Sequence, residues 1–142
     1  MAIPIKHVSI KVGNLERARA FYEEVFGYKH LRTVSTTGFD GPHFSCHMTD
    51  GIIDLTLLYY EEQIKSGDPK GAEPVIHHFG VEVEDLEAFT RKLKNCGGEV
   101  LSAPGDVRVK FKMPSVPMLE IVPAGRWTKS IKALNMADTA DT

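Results

Sequence analysis

At 142 residues, with 42% hydrophobic and 25% charged residues, the chain has the make-up of one soluble globular domain. A formal net charge of −2 gives no electrostatic reason to expect nucleic acid or an anionic membrane as a partner. No apolar stretch reaches the length of a membrane span, and residues 1–6 lack the apolar run of a secretory leader, so a cytoplasmic protein is expected.

Along residues 7–12, Val8, Ile10 and Val12 alternate with His7, Ser9 and Lys11, the period-2 pattern of a strand with one apolar face. Asn14 is placed to cap a helix with apolar positions Ala18, Phe21, Tyr22, Val25 and Phe26. Gly27 stands where the end of that helix favours a left-handed residue. β-prone segments follow at 29–35, 43–48 and 52–60, broken by the turn sequences at 38–42 and 49–51. Residues 61–75 are polar, hold two prolines and two glycines, and read as a linker and the most mobile internal segment. A second strand–helix unit begins with a strand at 77–83, an N-cap at Asp85 and a helix facing inward through Leu86, Phe89 and Leu93. Gly97 and Gly98 end that helix, and short strands are expected near 99–102, 107–113 and 118–122. Beyond Pro123 the pattern fades to one or two helical turns at 130–136 and a fraying polar end. Cys46 and Cys96 lack CxxC spacing and read as reduced thiols.

The two units are copies of one another. His7 and His78 each open a strand and lie 71 residues apart, the same offset that separates Gly27 from Gly98. Repetition at half the chain length predicts an α+β fold of two tandem βαβββ modules forming an eight-stranded cleft. The expected layout is one domain over 1–127, built from modules 5–60 and 76–123 with the linker 61–75, and a C-terminal tail at 128–142. Strand alternation turns Val8, Ile10, Phe79, Val81, Leu55 and Ile121 toward the helices and leaves His7, Asp54, His78 and Glu120 on the opposite face.

On these residues the chain resembles the vicinal oxygen chelate superfamily, which includes glyoxalase I, methylmalonyl-CoA epimerase, extradiol dioxygenases and the bleomycin resistance proteins. Residues 7–32 (HVSIKVGNLERARAFYEEVFGYKHLR) read like its opening module. Ile53-Asp54-Leu55-Thr56 resembles its fourth strand, residues 78–83 its fifth and Leu119-Glu120-Ile121 its eighth. The resemblance implies a cleft with one divalent metal ion per chain, held by His7, Asp54, His78 and Glu120. Glu120 and Asp54 are then the catalytic carboxylates. Imidazole and carboxylate ligands suit Fe, Mn, Ni, Co or Zn, and the lack of thiolate argues against a closed structural zinc site.

Phe44, His47, Tyr60 and Phe111 are the candidate substrate-binding residues, the aromatics as a cleft wall and His47, with His43 and Cys46, on a strand able to line the cleft. The resemblance also implies a homodimer acting on a small molecule. Two departures from the family pattern stand out. Asp54 replaces the usual Glu or Gln and is one methylene shorter, and residues 113–118 (MPSVPM) replace the usual turn before the last strand. If Asp54 coordinates, a lyase or isomerase of glyoxalase type is expected. If it does not, the remaining ligands make the facial triad of an extradiol-type Fe(II) dioxygenase. A metal-free module that sequesters a ligand is the third reading. No Gly-rich phosphate loop, GxSxG elbow or nucleophile–base pair is present.

Overall fold

The structure, a computed structural model, describes residues 2–66 and 73–140. In chain order it holds β1 (His7–Lys11), α1 (Leu15–Glu24), β2 (Lys29–Gly38), β3 (Gly41–Thr49), β4 (Asp54–Tyr59) and α2 (Glu61–Lys65). There follow β5 (Val75–Val83), α3 (Leu86–Asn95), β6 (Glu99–Val100), β7 (Val109–Lys112), β8 (Leu119–Pro123) and α4 (Thr128–Ala140). The order βαβββ occurs twice, and the eight strands form one mixed sheet in the order β2-β3-β4-β1-β5-β8-β7-β6.

Within each module the first strand runs parallel to the last, β1 with β4 and β5 with β8. The modules join where β1 meets β5 antiparallel, with His7 opposite Gly80 and Ser9 opposite His78. The two histidines are therefore diagonal neighbours on one face, a separation that long side chains bridge.

Local chemistry fixes the helices that cover the other face. Asn14 accepts a hydrogen bond from the Arg17 N–H and Asp85 from the Ala88 N–H, both at 2.9 Å. Gly27 and Gly97 take positive φ just past the helix ends, at 72° and 93°, where a side chain would be strained. Beneath α1, Met48, Leu55 and Leu57 pack with Val8 and Ile10; beneath α3, Val109, Phe111 and Ile121 pack with Phe89 and Leu93. The opposite face buries polar groups instead, among them His7, Ser9, Asp54, Thr56, His78 and Glu120. A sheet with one apolar and one polar buried face has a helical layer on one side and a functional cleft on the other.

Three stretches depart from expectation. The predicted linker begins with the short helix α2, and β5 starts at Val75. Residues 67–72, on which its mobility would rest, lie outside the described residues. β6 is only two residues long. After it, Ser102 accepts from the Lys110 N–H and donates to the Arg108 carbonyl, which holds this stretch as a loop. The predicted C-terminal tail starts as a 13-residue helix. The Glu82 carboxylate caps it from β5, accepting from the N–H groups of Trp127 (2.8 Å) and Thr128 (3.0 Å) and from the Thr128 hydroxyl. That cap comes from 45 residues away, so nothing in the local sequence announces the helix start. No helix of the described residues is long and apolar enough to cross a membrane.

Candidate metal centre

On the buried polar face, ligand atoms of His7, His78 and Glu120 all lie within 4.8 Å of one another. The Nε2 atoms of the two histidines are 3.2 Å apart, and a Glu120 oxygen stands 3.7 Å from His7 Nε2 and 3.9 Å from His78 Nε2. All three side chains are buried. Burial, with the neighbouring His7 next, pushes the His78 imidazole down to about 2, so it is neutral and keeps a lone pair. His7 Nδ1 donates to Asp54 Oδ1 at 2.8 Å, so a neutral His7 ring turns a bare Nε2 toward the cluster, with the Ser9 hydroxyl 2.9 Å from it. Two imidazole nitrogens and a carboxylate converging on one point fit a divalent ion.

Asp54 does not converge with them. It pairs directly with His7 across β1 and β4, whereas Glu120 pairs with Gly80, two residues further along the corresponding strand. The register counterpart of Glu120 in the first module is Thr56, opposite Ser9. With its shorter side chain, Asp54 reaches the far side of the His7 ring. There its carboxylate accepts from His7 Nδ1 at 2.8 Å, His47 Nδ1 at 2.8 Å and the Thr56 hydroxyl at 2.5 Å. Burial opposes its ionisation, but the hydrogen bonds from His47 and His7 outweigh it and hold the Asp54 carboxyl well below the usual carboxylate range. The arrangement is that of a metal-binding histidine backed by a carboxylate.

A cavity of about 450 Å³ opens over this face, with His7, His78, Glu120 and His47 in its wall. The other candidate substrate residues do not reach it. Phe44 pairs with Tyr59 and, one residue out of step with His43 and Ser45, faces away from the cavity; it is exposed. Phe111 lies in the core beneath α3. Tyr60 is buried with its hydroxyl on Asp40 Oδ2 at 2.5 Å.

Among the cavity residues with no counterpart in the sequence expectations, two sets bear directly on the centre. The first is Arg32, Val34 and Thr36 of β2. The β2–β3 register runs from His30 opposite Met48 to Arg32 opposite His47, so Leu31 is a bulge. That extra residue turns Arg32 onto the cleft face, where simple alternation from His30 puts it on the helix side. The second is Trp127, buried and stacked on the His7 ring at 4.4 Å and 12°. Gly80, inside a strand, was its one sequence signal, because a strand glycine often marks close approach by another group.

Fold and cluster together define a two-module cleft protein whose cleft carries residues able to hold a metal ion. The profile of the Glyoxalase/Bleomycin resistance protein/Dioxygenase superfamily matches residues 4–112, and the chain belongs to that superfamily. A lactoylglutathione lyase of Arabidopsis thaliana is 30% identical over 108 residues, 72% of this chain but only 35% of that protein, so this chain spans about a third of that relative. A lactoylglutathione lyase of Neisseria meningitidis is 29% identical over 108 residues, 72% of either chain. Among solved structures, methylmalonyl-CoA epimerase from Mycobacterium tuberculosis shares the fold, with a TM-score of 0.63 at 20% identity over 86% of this chain and 89% of its own.

Proposed function

We propose that the protein is a divalent-metal-dependent enzyme that binds a small anionic substrate through two adjacent oxygens and catalyses proton transfer of lyase or isomerase type. The observation that carries this reading is the Asp54–His47 pair beside the cluster. Asp54 Oδ2 accepts a hydrogen bond from His47 Nδ1 at 2.8 Å, and His47 lines the cavity with no described hydrogen bond at Nε2. A neutral imidazole fixed in that tautomer by a carboxylate is a general base.

His7 Nε2, His78 Nε2 and Glu120 would hold the ion, which when bound supplies Lewis-acid stabilisation of charge on the substrate oxygens. His47 Nε2 takes the substrate proton and returns it. Asp54, expected on the metal, instead orients His7 and His47 together. Arg32, Arg108, Lys110 and Arg126 also line the cavity, and no described salt bridge engages any of them. Four cations against Asp106 and Glu120, in a chain of net charge −2, favour an anionic substrate.

A second reading rests on the ligand count. Two histidines and one carboxylate leave three positions open, the pattern of Fe(II) dioxygenases. Both are tested by measuring bound metal after purification, then lactoylglutathione turnover and O₂ uptake with catechols. The first reading expects one metal per chain, its loss in His78→Ala and Glu120→Ala, and substrate proton exchange without O₂ uptake. Metal-dependent O₂ consumption transfers the assignment to the dioxygenase. A metal-free chain that binds small ligands would be a sequestering module of bleomycin-resistance type.

A further inference from the structure

We infer that Asp40 and His77 are positioning residues that fix the second metal-site histidine, His78, through a hydrogen-bond chain running from the β2–β3 turn; the inference rests on the metal reading of His7, His78 and Glu120. His78 Nδ1 lies 2.8 Å from His77 Nδ1, and His77 Nε2 lies 3.3 Å from Asp40 Oδ2. The Tyr60 hydroxyl donates to that same oxygen at 2.5 Å, and the Tyr60 ring lies between His43 and His77, at 4.6 and 6.1 Å from them.

With a neutral His77 ring, the protons in this chain have one consistent arrangement. A carboxylate only accepts, so His77 Nε2 donates to Asp40 and His77 Nδ1 is a bare acceptor. His78 Nδ1 must then donate, which leaves His78 Nε2 bare toward His7 and Glu120. The reverse arrangement would set a bare His77 Nε2 against the Asp40 carboxylate. Although burial opposes it, hydrogen bonds from His77 and Tyr60 hold Asp40 below the usual carboxylate range, in keeping with an accepting group. Asp54 does the same for His7 from the other module. Each metal-site histidine is thus backed by a carboxylate, directly for His7 and through a second imidazole for His78.

The backbone explains how neighbouring histidines meet. Successive strand residues point to opposite faces, which would separate His77 from His78. The β1–β5 register runs from Ser9 opposite His78 to Ile10 opposite Ile76, so His77 is the unpaired residue of a bulge. The bulge turns its ring back toward His78, as bulges beside functional sites do. Asp40 sits in the turn whose neighbours Gly38 and Phe39 line the cavity. The chain therefore ties that wall of the cavity to a metal ligand.

The test uses ¹⁵N-labelled protein and zinc. In the zinc-loaded wild type, histidine ¹⁵N spectra are expected to show His78 protonated at Nδ1, and His77 protonated at Nε2 but not at Nδ1. Zinc affinity, read by chelator competition, should fall about 10–100-fold in His77→Phe. It should return to within about threefold of wild type in His77→Asn, whose side-chain oxygen replaces the Nδ1 acceptor. Asp40→Ala should weaken zinc binding and Asp40→Asn should retain it. A His77 ring protonated at Nδ1, or His77→Phe binding zinc like the wild type, overturns the inference. Should the Phe variant not fold, the wild-type tautomers and the Asn variant still decide it. A wild type that binds no zinc defeats the metal reading instead, and the His77 tautomer in that metal-free chain still decides the hydrogen-bond chain.

Discussion

Gly80→Ala is the sharpest test of how the centre is packed. A methyl at this position would stand 2.5 Å from Trp127 Cη2, 3.0 Å from His7 Cδ2 and 3.1 Å from His7 Cβ. Carbon atoms pack at about 3.5–4.0 Å, so the indole edge must retreat by about 1 Å. Gly80 is not in the left-handed region, so the penalty is steric rather than conformational. Trp127 is buried and stacked on His7, so its retreat disturbs the ring that positions His7. Overpacking of this kind costs about 1–3 kcal/mol. Because ligands must be held to about 0.5 Å, zinc affinity should drop by at least about tenfold as His7 is displaced. Urea unfolding and chelator competition read the two effects. Trp127→Phe has no atom at the clash position, so the double variant should cost less than the sum of the two single changes, by about 0.5–3 kcal/mol. Strict additivity, or Gly80→Ala with wild-type stability and zinc affinity, would refute the packing argument.

Asp54→Ala should orphan the buried Nδ1–H of His7 and leave that of the half-buried His47 only the Thr56 hydroxyl, 3.0 Å away. The His7 donor alone costs about 1–3 kcal/mol, measured by urea unfolding, with weakened metal binding and a lost proton-transfer rate; full activity in this variant would remove Asp54 from the mechanism. Glu82→Gln should cost about 1 kcal/mol at neutral pH by weakening the α4 cap. Hydrogen bonds from Thr128 and Trp127 outweigh burial and lower the Glu82 pKa below its ordinary 4.5. A depressed carboxyl stabilises the fold fully above the unfolded value and loses that contribution as pH falls through the lower folded one. The wild-type advantage over Glu82→Gln should accordingly shrink below pH 4.5; a gap that widens there would contradict the sign. Phe21, Val25 and Phe26 stand exposed on and just beyond α1, and a homodimer is expected. Sedimentation showing only a 15.8 kDa species at micromolar concentration would exclude that dimer.

The parts of this molecule that were legible in its sequence are those governed by local period. Val8, Ile10 and Leu55 stand between polar neighbours, and Leu57 and Ile121 keep the same period, so both the helix-packed face and the face carrying His7, His78 and Glu120 follow from counting in twos. Asn14 and Asp85 announce their helices because a cap bonds only three residues away. What the sequence hid depends on partners elsewhere in the chain. Glu82 caps a helix 45 residues on. The bulges at Leu31 and His77 exist only relative to the strands opposite, and each reverses a side chain that alternation would send the other way.

Asp54 shows the same limit from the opposite side. Alternation places it on the correct face, but its position along β4 is set by pairing with His7 rather than with Ser9. One pleat repeat separates a side chain beside Nε2, where an ion would sit, from one beside Nδ1, where it sets the tautomer. The face of a strand residue follows from its own sequence, but its role in a site built across strands follows from register. For that reason Thr56, rather than Asp54, occupies the place that Glu120 holds in the second module.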